Sequence, residues 1–401
     1  MNIRIDSSVD ERPVRDAKRE TSALVVVSLA LLADMMLYGI AVPVLPALAR
    51  EYGVSSASLG FLFGVYAVAM IALMPVVGLW TDRAGPRKPL LVGLVGLASS
   101  TLLFAFAPGY GFLIAARALQ GASAAVSWTA GLALLAASFP VERRSAAMGK
   151  ALSAMSIGTL VGPVAGGFLF ERWGRAAPFL LGASIAAIDA IARILLVKDA
   201  PGEERREERP RSILKAEGIR ACLAMSALGA AIVAALEPVL PQLAFSEFGA
   251  GPSGIGLSFA AATLASVLVY PLAGTAADRL PARRVAAAGA AVAALGYAGL
   301  YFAGSALAAT ACLVVAAIGG AFVLAPTAGL VAKAAESIEP PAYGAAYSLY
   351  NVAYSVGLAA GPLASAFAYG WGGISSVALV GASALAVAAI VLAQTRRSSP
   401  A

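Results

Sequence analysis

Twelve apolar segments of about 20 residues, set apart by short polar loops, follow one another along this 401-residue chain. Their approximate limits are 23–48, 58–80, 89–107, 111–138, 145–170, 177–197, 219–245, 254–276, 285–303, 307–334, 343–368 and 373–394. At 1.5 Å per residue, about 20 helical residues cross the ~30 Å hydrocarbon layer of a bilayer. Every backbone N–H and C=O in lipid needs a partner within the chain, which leaves only helices or closed barrels, and segments this long are helices. The chain is therefore expected to be an all-α integral membrane protein with twelve transmembrane helices. Hydrophobic residues make up 60% of it and charged residues only 13%, against roughly 25% charged in soluble domains. Much of the apolar content is Ala and Gly, which suits helices that pack closely on small residues.

Lysine and arginine orient the spans. With twelve spans, the tails and alternate loops share one side and carry 24 of the 29 basic residues. The other side has Arg50, Arg172 and Arg175, and Arg117 and Arg193 fall within spans. Both termini are expected in the cytoplasm, in a bacterial cytoplasmic (inner) membrane. Residues 1–22 read as a polar cytoplasmic tail, because no apolar core precedes a small-residue cleavage site. Residues 23–197 and 217–395 form two sets of six spans, joined by a charged cytoplasmic linker at 198–216, and 396–401 is a second cytoplasmic tail. The +7 net charge is accounted for by this face.

The halves repeat. Leu236-Glu237-Pro238-Val239-Leu240-Pro241-Gln242 sets a carboxylate in an apolar run, and Pro-Val-Leu-Pro occurs 195 positions earlier at Pro43 to Pro46, preceded by Asp34. Gly78 with Asp82-Arg83 recurs as Gly274 with Asp278-Arg279, and Gly162-Pro163 recurs as Gly361-Pro362. Such offsets indicate two pseudo-symmetric six-helix bundles about an axis along the membrane normal, and one charged, broken helix in each half marks a binding site near the midplane. Carboxylates inside spans are costly and point to function.

Several chemistries are excluded. There is no histidine, and Cys222 and Cys312 stand alone in apolar runs, so neither a metal or redox motif nor a disulfide framework is present. No HExxH, Gly-x-Ser-x-Gly or Walker lysine pattern supports an enzyme. No cofactor, no metal and no nucleic-acid partner is expected.

Gly78-Leu-Trp-Thr-Asp82-Arg83-Ala-Gly85-Pro-Arg87-Lys88 resembles the signature that the major facilitator superfamily carries between spans 2 and 3. Arg117-Ala-Leu-Gln120-Gly121 is similar to its intramembrane arginine motif, and Gly158-Thr-Leu-Val-Gly162-Pro163-Val-Ala-Gly166-Gly167 to the pattern of its antiporter branch. Asp34-Met35-Met36, Ile188-Asp189 and Leu236-Glu237-Pro238 look most like the twelve-span drug:proton antiporters and the vesicular amine transporters. The lysine those transporters carry in span 2 falls at Tyr66, and their aspartates in spans 10 and 11 fall near Ala321 and at Asn351. The resemblance implies the major facilitator fold and a conformational role for Gly78, Asp82, Arg83, Arg87, Gly158, Gly162, Pro163, Gly166 and Gly167. Turn formation, capping by Asp82 and GxxxG packing would account for many of the same residues.

Asp34 lies about 16 Å into span 1, near the midplane, with no fixed partner. Glu237 and Arg117 lie nearer the opposite face, at a level where they could form an ion pair. Asp189 and Arg193, four apart, should neutralise each other on a peripheral span 6. Tyr347, Tyr350, Asn351 and Tyr354 make one stripe of span 11 at helical spacing. With Met35, Tyr38, Tyr66, Gln120 and Trp128 they could wall a cavity that holds an organic cation by cation–π contact, or serve packing alone. Low dielectric favours the neutral form of a carboxylate, so proton and cationic substrate would compete for Asp34 and Glu237, while Arg117 completes the coupling group. The expected protein is a monomeric, proton-coupled antiporter exporting small lipophilic or cationic amine and drug compounds by alternating access, with spans 1, 4, 7 and 10 lining the cavity. The rival reading is a proton-linked importer of a small nutrient or metabolite.

Overall fold

The computed structural model describes residues 12–196, 214, 218–337 and 343–394, so the charged linker at 198–216 falls almost wholly outside the described residues. The described chain is helical: α1 (Arg12–Glu51), α2 (Ser56–Ala84), α3 (Arg87–Ala105), α4 (Tyr110–Ser138), α5 (Val141–Trp173), α6 (Ala176–Leu196), α7 (Ile219–Ala234), α8 (Val239–Glu247), α9 (Pro252–Arg279), α10 (Ala282–Leu300), α11 (Ala306–Glu336) and α12 (Tyr343–Gln394). Ten helices are long and apolar enough to cross a membrane by length and composition, with α7 and α8 counted together. α12 runs 52 residues but turns at Gly372 and Gly373, the latter at φ 61°.

Helix ends follow local chemistry. Ser55 caps α2 by accepting from Ser58 N–H, and Ser305 caps α11 through Ala308 N–H. Gly85, at φ 72°, turns the chain between α2 and α3. Gly78 makes no such turn: it lies inside α2 with open space around it. Asp82 belongs to the last turn of α2, and the N-cap position of α3 is Pro86, which makes no side-chain cap bond. The Asp82 side chain lies outside the described atoms.

The two Pro-Val-Leu-Pro runs fold differently. α1 continues unbroken through Pro43 and Pro46, which corrects the expectation of a broken helix in each half. In the second half, Ala235 to Pro238 form a turn between α7 and α8, where Leu236 N–H and Glu237 N–H donate to Val233 and Ala234, three residues back. The prolines are the same, so local preference does not decide. The apolar part of α1 is two-thirds buried against half for α7 and α8, and Pro43 and Pro46 are themselves buried there. At its other end α1 starts at Arg12, so residues 12–22 of the expected tail are helical. Glu20 there accepts from Arg143 at 2.6 Å.

Packing repeats between the halves. α1 lies on α5 as α7 lies on the first part of α12, α2 on α4 as α9 on α11, and α3 on α4 as α10 on α11. Gly158, Gly162 and Gly166 form one face of α5, where a Cβ would run into the backbone of α1 at Leu32, Met36 and Ile40. Gly357 and Gly361 of α12 meet α7 in the same way at Ala227 and Ala231. The halves themselves join along α2 with α12 and α5 with α9. Gly60 sits under the Pro362 carbonyl and Ala366, and Gly256 under the Pro163 carbonyl.

These joining contacts lie toward the end of the molecule opposite the basic loops. Ser56 Oγ donates to Gln242 Oε1 at 2.5 Å, and Ser253 N–H at the start of α9 donates to Glu171 Oε2 at 3.1 Å. Leu45, Leu59, Leu62 and Leu113 of the first half and Val239, Leu240, Leu243 and Phe259 of the second share one buried apolar cluster. The two halves are therefore held together at the end opposite the basic loops.

Candidate functional site

Asp34, Arg117, Gln120 and Glu237, all buried, gather where α1, α2 and α4 meet the turn between α7 and α8. Asp34 is fully buried; its Oδ2 accepts from Trp128 Nε1 at 3.2 Å and Tyr66 Oη at 3.4 Å, and its Oδ1 has no partner. The sequence reading left Asp34 without a fixed partner. The structure gives it two neutral donors and no cation. A buried carboxylate held this way is incompletely satisfied, and the remaining acceptor is open to a proton or a cation.

Arg117 of the same cluster is also fully buried. Its Nη1 donates to Gln120 Oε1 at 2.7 Å, while Nε and Nη2 have no partner. The charge rests instead on three aromatic faces, with Cζ 4.8 Å from the ring centre of Tyr38 and 5.2 Å from those of Phe63 and Tyr66. Each such contact gains in strength when desolvated. The expected Arg117–Glu237 ion pair is not formed. Tyr38 stands between them, its ring against the guanidinium and its hydroxyl donating to Glu237 Oε2 at 2.7 Å. Tyr38 and Tyr66 pack together with ring centres 5.0 Å apart.

α1 and α4 are the most enclosed of the long apolar helices, their apolar stretches 67% and 61% buried against 28% for α6, and they carry Asp34, Arg117, Gln120 and Trp128. α2 joins them through Tyr66, a candidate of the sequence reading, and Phe63, which that reading did not place here. Phe63 precedes Tyr66 by three and so shares its face, which is the signal that could have found it. α11 brings no polar side chain to the cluster.

The span-11 stripe is only partly drawn in. Tyr354 is half-buried within electrostatic reach of Glu237 and of Tyr270 on α9, an aromatic the sequence reading missed. Tyr350 instead accepts from Thr327 Oγ1 and packs with Ile219 and Cys222 within its own half. Asn351 and Met35 are half-buried, and the Tyr347 side chain lies outside the described atoms. Asp189 and Arg193 do pair on one helix, at 2.6 and 3.0 Å, but both are buried and Arg193 Nη1 donates to Leu90 O of α3. That pair joins α6 to α3 from the inner face of a helix that is otherwise among the least enclosed.

A profile described as the Major Facilitator Superfamily matches residues 27–237 and 221–401. A probable vesicular acetylcholine transporter-B of Danio rerio is 33% identical over 362 residues, covering 85% of this chain and 72% of that protein. The vesicular acetylcholine transporter of Drosophila melanogaster is 28% identical over 381 residues, covering 85% and 65%. Among solved structures, a bacterial homologue of the human lysosomal transporter Spinster, inward-facing and occupied, aligns with a TM-score of 0.75 at 16% identity, over 94% of this chain and 98% of that one. The all-helical fold, the matched profile and the relatives agree: the chain belongs to the Major Facilitator Superfamily, as a transporter resembling the vesicular amine transporters.

Proposed function

We propose that the protein is a proton-coupled antiporter that exports small cationic or lipophilic amine compounds by alternating access. The observation that carries the reading is Asp34: a buried carboxylate with an unpartnered oxygen, ringed by Tyr66 and Trp128 and paired with no cation. An isolated ion at such depth costs at least ~2.5 kcal/mol, so Asp34 is neutral with a proton or neutralised by a cationic substrate. Two ligands that exclude each other from one group are exchanged, which is antiport. The amine relatives support the same substrate class, and the rocking of two half-molecules supplies the access change.

On this reading α7 and α8 are one interrupted span and α12 is two spans meeting at Gly372 and Gly373, giving twelve spans in two six-helix bundles. The basic end faces the cytoplasm of a bacterial cell and the carrier works as a monomer, and the contacts between the halves at the opposite end support an inward-facing state. Gly158, Gly162 and Gly166 pack α5 on α1 within a bundle, while Pro163 and Gly167 meet α9 across the boundary, so the antiporter-like segment is both a brace and a bearing.

The test is accumulation of an amine panel in proteoliposomes under an imposed pH gradient. The wild type should drive uptake of at least one monovalent amine, and Glu237→Gln should reduce it to the level of protein-free vesicles while the protein still folds and inserts. Gradient-driven uptake that survives in Glu237→Gln would leave Glu237 a packing residue.

A further inference from the structure

Tyr38 is more than a wall of the cavity. Its hydroxyl joins α1 of the first half to the turn at Glu237 in the second, a hydrogen bond of 2.7 Å between residues 199 apart. Its ring is held on two sides, by the Arg117 guanidinium at 4.8 Å and the Tyr66 ring at 5.0 Å. Tyr66 is in turn directed to Asp34. The hydroxyl therefore belongs to the rigid polar core of the first half and cannot follow Glu237 when the second half rotates. Opening the end that is closed here carries Glu237 and the apolar plug of Val239, Leu240 and Leu243 away from the first half, so this bond must break.

We infer that Tyr38 is the residue that locks the empty, deprotonated carrier: its hydroxyl on ionised Glu237 holds the closed end shut, and neutralising Glu237 releases it. The inference rests on the reading of Glu237 as a proton- or cation-carrying group and adds what that group controls. A hydrogen bond to an ionised acceptor is roughly twice as strong as one to a neutral acceptor, so a proton on Glu237, or a substrate cation that takes its carboxylate, weakens the bond across the halves. Loaded with either, the carrier can reorient; loaded with neither, it stays locked. Obligatory exchange follows without a separate gate. The charged and titratable groups facing Glu237 are Tyr38 from α1, Arg117 from α4 and Tyr354 from α12, with Tyr66 of α2 and Tyr270 of α9 one contact further. Of these, only Tyr38 is hydrogen-bonded to it, and it comes from the other half.

The test needs no substrate. In the full chain with Cys222→Ala and Cys312→Ala, Leu240→Cys places a thiol in the buried plug. Its labelling by an impermeant maleimide is measured in proteoliposomes from mildly alkaline to acidic buffer. Each rate is divided by that of Gly109→Cys, an open position at the start of α4, at the same pH, which removes the chemistry of the thiol itself. The lock requires normalised labelling to rise roughly tenfold on acidification, the size of the difference between charged and neutral hydrogen bonds. Tyr38→Phe keeps the ring under Arg117 and removes the hydroxyl; it should label fast at every pH. Glu237→Gln should do the same, and the double variant should add nothing. A Tyr38→Phe protein that keeps the wild-type pH profile would overturn the lock. So would a further rise in labelling caused by Tyr38→Phe in a background that already carries Glu237→Gln. Failure of the antiport reading would show separately, as absent amine uptake beside an intact labelling profile.

Discussion

The two halves share a packing scheme and differ in everything placed inside it. The offset of 195 that relates Leu32 and Met36 to Ala227 and Ala231 carries Asp34 to Gly229. The offset of 196 that relates Gly60 to Gly256 and Gly93 to Gly289 carries Tyr66 to Ala262, Arg117 to Leu313, Gln120 to Ala316 and Trp128 to Leu324. The contacts confirm the correspondence: Trp128 hydrogen-bonds Asp34, and Leu324 packs on Gly229. These polar members of the first-half core are thus Gly, Ala or Leu in the second, Tyr38 is Val233 there, and Glu237 stands where the first half has Val42. The scaffold is what two bodies need to rock against each other. The polar set is needed once, so it remains in one body and reaches across the boundary through Tyr38.

If the scaffold is shared, equivalent glycines should be equally intolerant. Gly158→Ala and Gly357→Ala each force a Cβ onto a neighbouring helix backbone, at Leu32 and Ala227. Each should cost about 1–3 kcal/mol, read as a lowered thermal midpoint in detergent; tolerance of one but not the other would break the equivalence. If the chemistry is confined to the first half, equivalent core positions should differ. Trp128→Phe keeps the ring but removes a donor from Asp34 and should weaken binding of a cationic probe roughly tenfold, the worth of a hydrogen bond to a charged group. Leu324→Met, at the matching position, should leave transport within error. A loss of transport as large in Leu324→Met as in Trp128→Phe would erase the distinction.

How much of this the sequence discloses depends on the range of the interactions. Span limits, the repeat and the clustering candidates Asp34, Tyr66, Gln120 and Trp128 come from hydropathy and spacing, which are local. The Asp189–Arg193 pair is likewise local at i, i+4, but its burial under Leu90 of α3 is tertiary and was not legible. The same holds for Arg117: its depth suggested Glu237 as partner, yet which side chain fills the gap depends on how α1 rotates, and Tyr38 fills it. Identical Pro-Val-Leu-Pro runs giving one continuous and one interrupted helix make the same point at the backbone level. Tyr350 shows the converse error: its place on a helical stripe was right, but that face of the stripe packs on Ile219 and Cys222 inside its own half.

The account turns on Asp34 as the group that recognises charge. Asp34→Asn removes the charge and keeps the shape, so the direct measurement is paired: efflux of a monovalent cationic dye and of a neutral dye of similar size from proteoliposomes under one imposed pH gradient, wild type against Asp34→Asn. Loss of cation efflux to the protein-free level with neutral efflux largely retained is the expected result. Equal retention of both would remove Asp34 from the mechanism and contradict the account.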